Sequence, residues 1–177
     1  MSSLVSERDR HLKWASLDWL EALLYVLGGL CLAGFAIGVL LDVVTREIGK
    51  PWLWLQTVNM GFFIYGIFVG MALAVRRNEH MYLSEILQST SGGKRTVLEL
   101  FSRIVVVVVA ICMVVFGWRS VLNDMGRLVP PLNIPFGYYS AAIPASGVII
   151  ILFSIEQAVN GFANGFDRPR EDAGAAP

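Results

Sequence analysis

The sequence predicts an all-α integral membrane protein, a bundle of four transmembrane helices in a single membrane domain covering residues 1–177. Three observations carry that expectation. Hydrophobic residues make up 55% of the chain and charged residues only 16%, against roughly 25% charged in an average soluble domain. Mean hydropathy is +0.61. Four stretches are long enough to cross a hydrocarbon core of about 30 Å, which takes roughly 20 helical residues at about 1.5 Å each.

The first span is expected at about 20–43, on the 20 uncharged residues from Ala22 to Leu41. A basic start (Arg8, Arg10, Lys13) precedes it, but this run is longer than the apolar region of a signal peptide and no A-x-A site follows. It reads as an uncleaved signal anchor. The second span, about 52–75, rests on 25 uncharged residues from Pro51 to Val75. The third, about 98–121, has an uninterrupted stretch from Ile104 to Trp118, with Arg103 and Arg119 expected to snorkel toward opposite headgroup layers. The uncharged run from Leu128 to Ile155 opens with Pro130, Pro131 and Pro135, which keep its start out of a regular helix. The fourth span is therefore placed at about 138–160, with Glu156 in its last turns and a bend at Pro144.

Between the spans, His80 to Leu87 is expected to form a short helix on the membrane surface, ended by the run Ser89 to Gly93. The connection Asn123 to Gly137, with three prolines and two glycines, reads as a shaped, semi-rigid loop. Residues 167–177 read as a flexible tail. Nine basic residues fall in the two termini and the loop from Arg76 to Arg95, against four on the other side. Positive-inside bias thus places both termini in the cytoplasm. Trp52, Trp54, Tyr138 and Tyr139 then fall at the outer interface, where amphipathic rings prefer to sit.

The composition excludes several functions. Fourteen basic and fourteen acidic residues cancel, so there is no basic stripe for nucleic acid. Cys31 and Cys112 lie inside apolar runs and imply neither a disulfide framework nor a paired-cysteine zinc site. The two histidines, His11 and His80, lie outside the spans and cannot ligate an intramembrane haem. No GxGxxG or GxxxxGK[ST] loop is present. No catalytic residue, cofactor or metal site is assigned, and the chain is not read as an enzyme. Asp18, Glu21, Asp42, Glu99, Arg103, Arg119 and Glu156 cluster at span ends and read as interfacial anchors, not as an ion pathway. Small residues four apart (Gly34 and Gly38, Gly66 and Gly70, Ala141 and Ala145) read as helix-packing sites.

The segment Ala72-Leu73-Ala74-Val75-Arg76-Arg77-Asn78-Glu79-His80-Met81-Tyr82-Leu83 closes a span with a basic pair and a histidine. It resembles the signature of the small, DctQ-like membrane subunit of tripartite ATP-independent periplasmic (TRAP) transporters. Trp52-Leu53-Trp54 is similar to that family's lead-in to its second span, with Gly70 near the family's small residue. Pro135 to Tyr139, followed by Ile143-Pro144 and Gly147, is similar to the opening of its last helix. Gln56 and Ser84 stand where the family often has acidic residues.

The resemblance implies a scaffold subunit of a sodium-coupled, binding-protein-dependent secondary transporter in the bacterial inner membrane, importing an organic acid anion. Its partners would be a large elevator-type permease subunit, which holds the substrate and sodium sites, a periplasmic binding protein, and membrane phospholipid. On that view Arg76, Arg77 and His80 anchor the cytoplasmic rim through lipid phosphates or an acidic patch on the partner. The outer loops, Arg46 to Trp54 and Asp124 to Tyr139, are candidates for touching the binding protein. The competing readings are an accessory or assembly subunit of another membrane complex and a small self-associating channel.

Overall fold

A computed structural model describes Trp14 and residues 17–77 and 93–164, with 93–100 and 161–164 described as backbone. The surface helix expected over His80 to Leu87 and the tail 167–177 lie outside the described residues.

Four helices are long and apolar enough to cross a membrane. The first, α1, runs Asp18–Glu47, with Asp18 and Glu21 in its first turn and Arg46 in its last, charges that complement the helix dipole. It ends in a Schellman turn: Gly49, at φ 76°, donates to Arg46 O at 2.9 Å, and Lys50 donates to Thr45 O at 3.0 Å. That positive φ suits glycine, and Pro51 then prevents the helix from resuming. The second, α2, runs Leu53–Arg77, and α3 runs Gly93–Asp124. Both helices, like α1, continue past the uncharged runs into their polar flanks, because a helix need not end where hydrocarbon ends.

The proline-rich connection forms a small hairpin. β1 (Leu128–Val129) pairs antiparallel with β2 (Ile134–Pro135), in register Leu128 to Pro135 and Val129 to Ile134. Asn133, at φ 53°, takes the left-handed conformation in its turn, which asparagine tolerates. The last span is in two pieces, a single turn α4 (Gly137–Ser140) and the long α5 (Ala142–Asn164). Pro144 stands in the first turn of α5. The break therefore falls at Ala141, just ahead of the proline.

The principal packing order is α1, α2, α5, α3, with α2 and α5 inside and α1 and α3 on the flanks. Two small apolar clusters join three helices each. Leu24 of α1 meets Val69 of α2 and Phe153 of α5. Ala72 and Val75 of α2 meet Ala110 of α3 and Ile150 of α5. The outward faces are leucine, isoleucine, valine and phenylalanine, as at Leu30, Leu32 and Leu40 on α1 and Val105, Val108 and Phe116 on α3. Such a girdle would be an aggregation patch in water and is an ordinary surface in lipid.

Candidate functional site

At one end of the bundle the start of α1, the end of α2 and the last turns of α5 converge. Each brings charge. Arg76, Glu21 and Glu156 have no exposed surface. Arg76 lies on the inward face of α2, seven and four residues along from the buried Val69 and Ala72. Its guanidinium serves three carboxylates: Nη2 lies 3.0 Å from Asp18 Oδ1 and 3.3 Å from Glu156 Oε1, and Nε lies 3.3 Å from Glu21 Oε2. It also donates through Nη1 to Leu17 O and through Nη2 to Trp14 O at 3.3 Å. Its plane sits over Phe153, with Cζ 5.0 Å from the ring centroid. Arg77 joins from the rim, with Nε 3.3 Å from Glu21 Oε1 and Cζ 4.9 Å from the Tyr25 ring centroid.

Alongside Glu156, α5 contributes Gln157 and, one turn on, Asn160. Gln157 Nε2 donates to Val75 O at 2.9 Å and Arg76 O at 3.0 Å, satisfying carbonyls that the end of α2 leaves without helical partners. Its Oε1 accepts from Arg103 Nη1 of α3 at 3.3 Å. Trp14 donates from its backbone N to Glu156 Oε1 at 2.6 Å and from its indole Nε1 to Asn160 Oδ1 at 2.8 Å. Four helices and the chain ahead of α1 are thus joined by one polar network.

Its chemistry is holding. Buried charge is tolerated only when paired and hydrogen-bonded, and only arginine has the planar five-donor fork to serve several acceptors at once. Among the described residues no group of three or more histidines, cysteines or acids could hold a metal ion.

The other end is fastened mainly by hydroxyl groups. Tyr139 OH donates to Thr57 O at 3.1 Å, Thr57 Oγ1 to Pro130 O at 3.1 Å, and Tyr65 OH to Tyr138 O at 2.7 Å. These tie the hairpin and α4 to α2. Ser120 and Ser140 both donate to Asp124 Oδ2, which pins α4 to the end of α3. Trp52 and Trp54 stack with centroids 6.0 Å apart and are exposed.

Several residues singled out from the sequence sit differently from expectation. Arg76 does not lie on an open rim: it points inward and finds its acids within this chain. Arg77 is largely covered by Glu21 and Tyr25, and His80 lies outside the described residues. Arg103 turns to Gln157. Of the two tyrosines, Tyr138 is 57% exposed but Tyr139 only 7%, since its hydroxyl reaches inward to α2. Gly34 and Gly38 do lie at the α1–α2 contact, where a β-carbon would collide with Phe62 and Asn59, and Gly66 rests against Cys31. A β-carbon at Gly70 would meet nothing within 4 Å among the described residues.

Not read from the sequence as packing sites were Gly117 and Gly147, the latter noted only in the resemblance to the family's last helix. A β-carbon at Gly117 would lie 2.9 Å from Pro144 Cδ, and one at Gly147 2.9 Å from Val114 Cγ2. No four-residue spacing flags either. Glu156, Gln157 and Asn160 were also missed as a unit, though the spacing of one turn from Glu156 to Asn160 is a visible signal.

Residues 35–164 match the family model described as the DctQ component of tripartite ATP-independent periplasmic transporters. A relative, the sialic acid TRAP transporter small permease protein SiaQ of Vibrio cholerae serotype O1, is 25% identical over 130 residues, which cover 70% of this chain and 75% of the relative.

Proposed function

The chain belongs to the DctQ component family of tripartite ATP-independent periplasmic transporters, and from that premise we propose that it braces the large permease subunit of a sodium-coupled importer of an organic acid anion. It is a small transporter subunit with four membrane-spanning helices; the anion class, the sodium coupling and the elevator-type partner belong to the proposal. The relative's name supports the solute class, since sialic acid is itself an organic acid.

One observation carries the bracing role: the charges that converge where α1, α2 and α5 meet are spent on one another. A subunit that moves an ion needs polar groups facing a path, whereas here Arg76, Glu21 and Glu156 face each other. Fixed at both ends, the bundle is suited to stay still while a partner moves. The excess of basic residues on one side supports placing both termini in the cytoplasm of an inner membrane, with the charge network at that boundary. The hairpin and the Trp52–Trp54 rim then face the periplasm and are the surface offered to a binding protein. Opposite charge would steer that encounter, so it weakens as salt rises.

The test is purification of the tagged chain from native membranes in mild detergent, with mass spectrometry of what stays bound. A stoichiometric, much larger polytopic subunit is the expected result. Recovery of the chain alone or as a homo-oligomer would overturn the bracing role.

A further inference from the structure

The helix α1 begins without a side-chain cap: Leu17 occupies the capping position and supplies no side-chain hydrogen bond. What fixes the chain there comes from other helices. Trp14 is held at three points, its backbone N on Glu156, its indole on Asn160 and its carbonyl on Arg76. Leu17 O is held by Arg76 as well, and Leu17 N closes a turn on Trp14 O at 3.1 Å. The apolar contact between α1 and α5 is one small cluster, Leu24 with Phe153 and the partly buried Leu17, Leu20 and Ile149 around them, and it lies beside these charges. Beyond it, α1 lies along α2.

From this we infer that Arg76, Glu156 and Asn160 form a latch on Trp14 that holds the segment ahead of α1 across the ends of α2 and α5, and that the latch, with its indole bond to Asn160 as a necessary part, more than apolar packing, seats the first span against the last. One guanidinium reaches acceptors on the segment ahead of α1, on α1 itself and on α5. One carboxylate answers both that guanidinium and the Trp14 amide. With the latch open, α1 keeps its contact with α2 and loses its seat on α5.

Amide hydrogen exchange by mass spectrometry on the purified full chain in detergent reads this directly. Arg76→Lys keeps the charge and loses the fork. Trp14→Ala removes the indole bond and leaves the buried charges intact. In Arg76→Lys the amides of residues 14–24 are expected to exchange at least tenfold faster, on the order of 1.4 kcal/mol of lost protection, with residues 104–118 and 142–155 unchanged. In Trp14→Ala the same confined rise is expected, about threefold. Unchanged exchange over 14–24 in Trp14→Ala overturns the latch, and so does a rise spread evenly over all four helices in either variant. If Arg76→Lys yields no folded chain, Trp14→Ala decides alone. Because the readout is this chain's own amides, it stands whether or not a larger partner copurifies, and so separates failure of the latch from failure of the bracing role.

Discussion

The end of the bundle built on Arg76 and the end built on Tyr139 do the same work with different chemistry. At the first, Arg76 meets Asp18, Glu21 and Glu156, with Arg76, Glu21 and Glu156 fully buried. At the second, hydroxyls of Tyr139, Thr57 and Tyr65 donate to backbone carbonyls. The difference lies in what a missing partner leaves behind. Removing a hydroxyl leaves an uncharged backbone carbonyl, while removing the guanidinium leaves buried carboxylates short of the cation they share. The charged end is therefore all-or-none, and the hairpin end tolerates loss bond by bond.

The largest expected effect follows from that asymmetry. Arg76→Ala should destabilise the chain by about 3–5 kcal/mol, the range for breaking a buried ion pair by deleting one partner. Thermal unfolding of the purified chain in detergent, or simple loss of folded yield, checks it. Next comes the middle of the bundle, which belongs to neither end. Gly147→Ala pushes a methyl toward Val114 and Ala110 O, where a β-carbon would lie at 2.9 and 3.0 Å. It should cost about 1–3 kcal/mol as overpacking, read by the same melt. Tyr139→Phe deletes one neutral hydrogen bond and should cost about 1 kcal/mol; a loss as large as that of Arg76→Ala would erase the contrast between the ends. Smallest is Arg46→Ala. Its pair with Asp42, 3.1 Å apart on the surface of α1, is worth at most about 0.5 kcal/mol, and its melt should be indistinguishable from that of the parent.

Much of the architecture is legible in the chain because uncharged runs bounded by Glu21, Asp42, Lys50 and Arg76 mark where helices can meet hydrocarbon. The pairing of those boundary charges is not legible in the same way. A positive-inside count treats Arg76 as one cation on one side, whereas its burial depends on which face of α2 it leaves from and on which acids stand at its depth in other helices. The signal was there in a different form: Asp18, Glu21 and Glu156 share one end of the bundle with Arg76, Arg77 and Arg103. Tyr138 and Tyr139 show the same limit more locally, since adjacent residues on a helix point about 100° apart and here only Tyr138 faces outward. Gly117 and Gly147 escaped because their close approach is to Pro144, Val114 and Ala110 across α3 and α5, which no spacing within a single helix reveals.

The central claim is that Arg76 and Glu156 stabilise the chain through each other. A double-mutant cycle with Arg76→Met and Glu156→Leu, read by unfolding of the purified chain in mixed micelles, tests it most directly. The double variant is expected to lose at least about 1.5 kcal/mol less than the sum of the two single losses, because each single change leaves the other's buried charge short of a partner. Losses that add to within about 0.5 kcal/mol would show the two groups to be energetically independent and would contradict the claim.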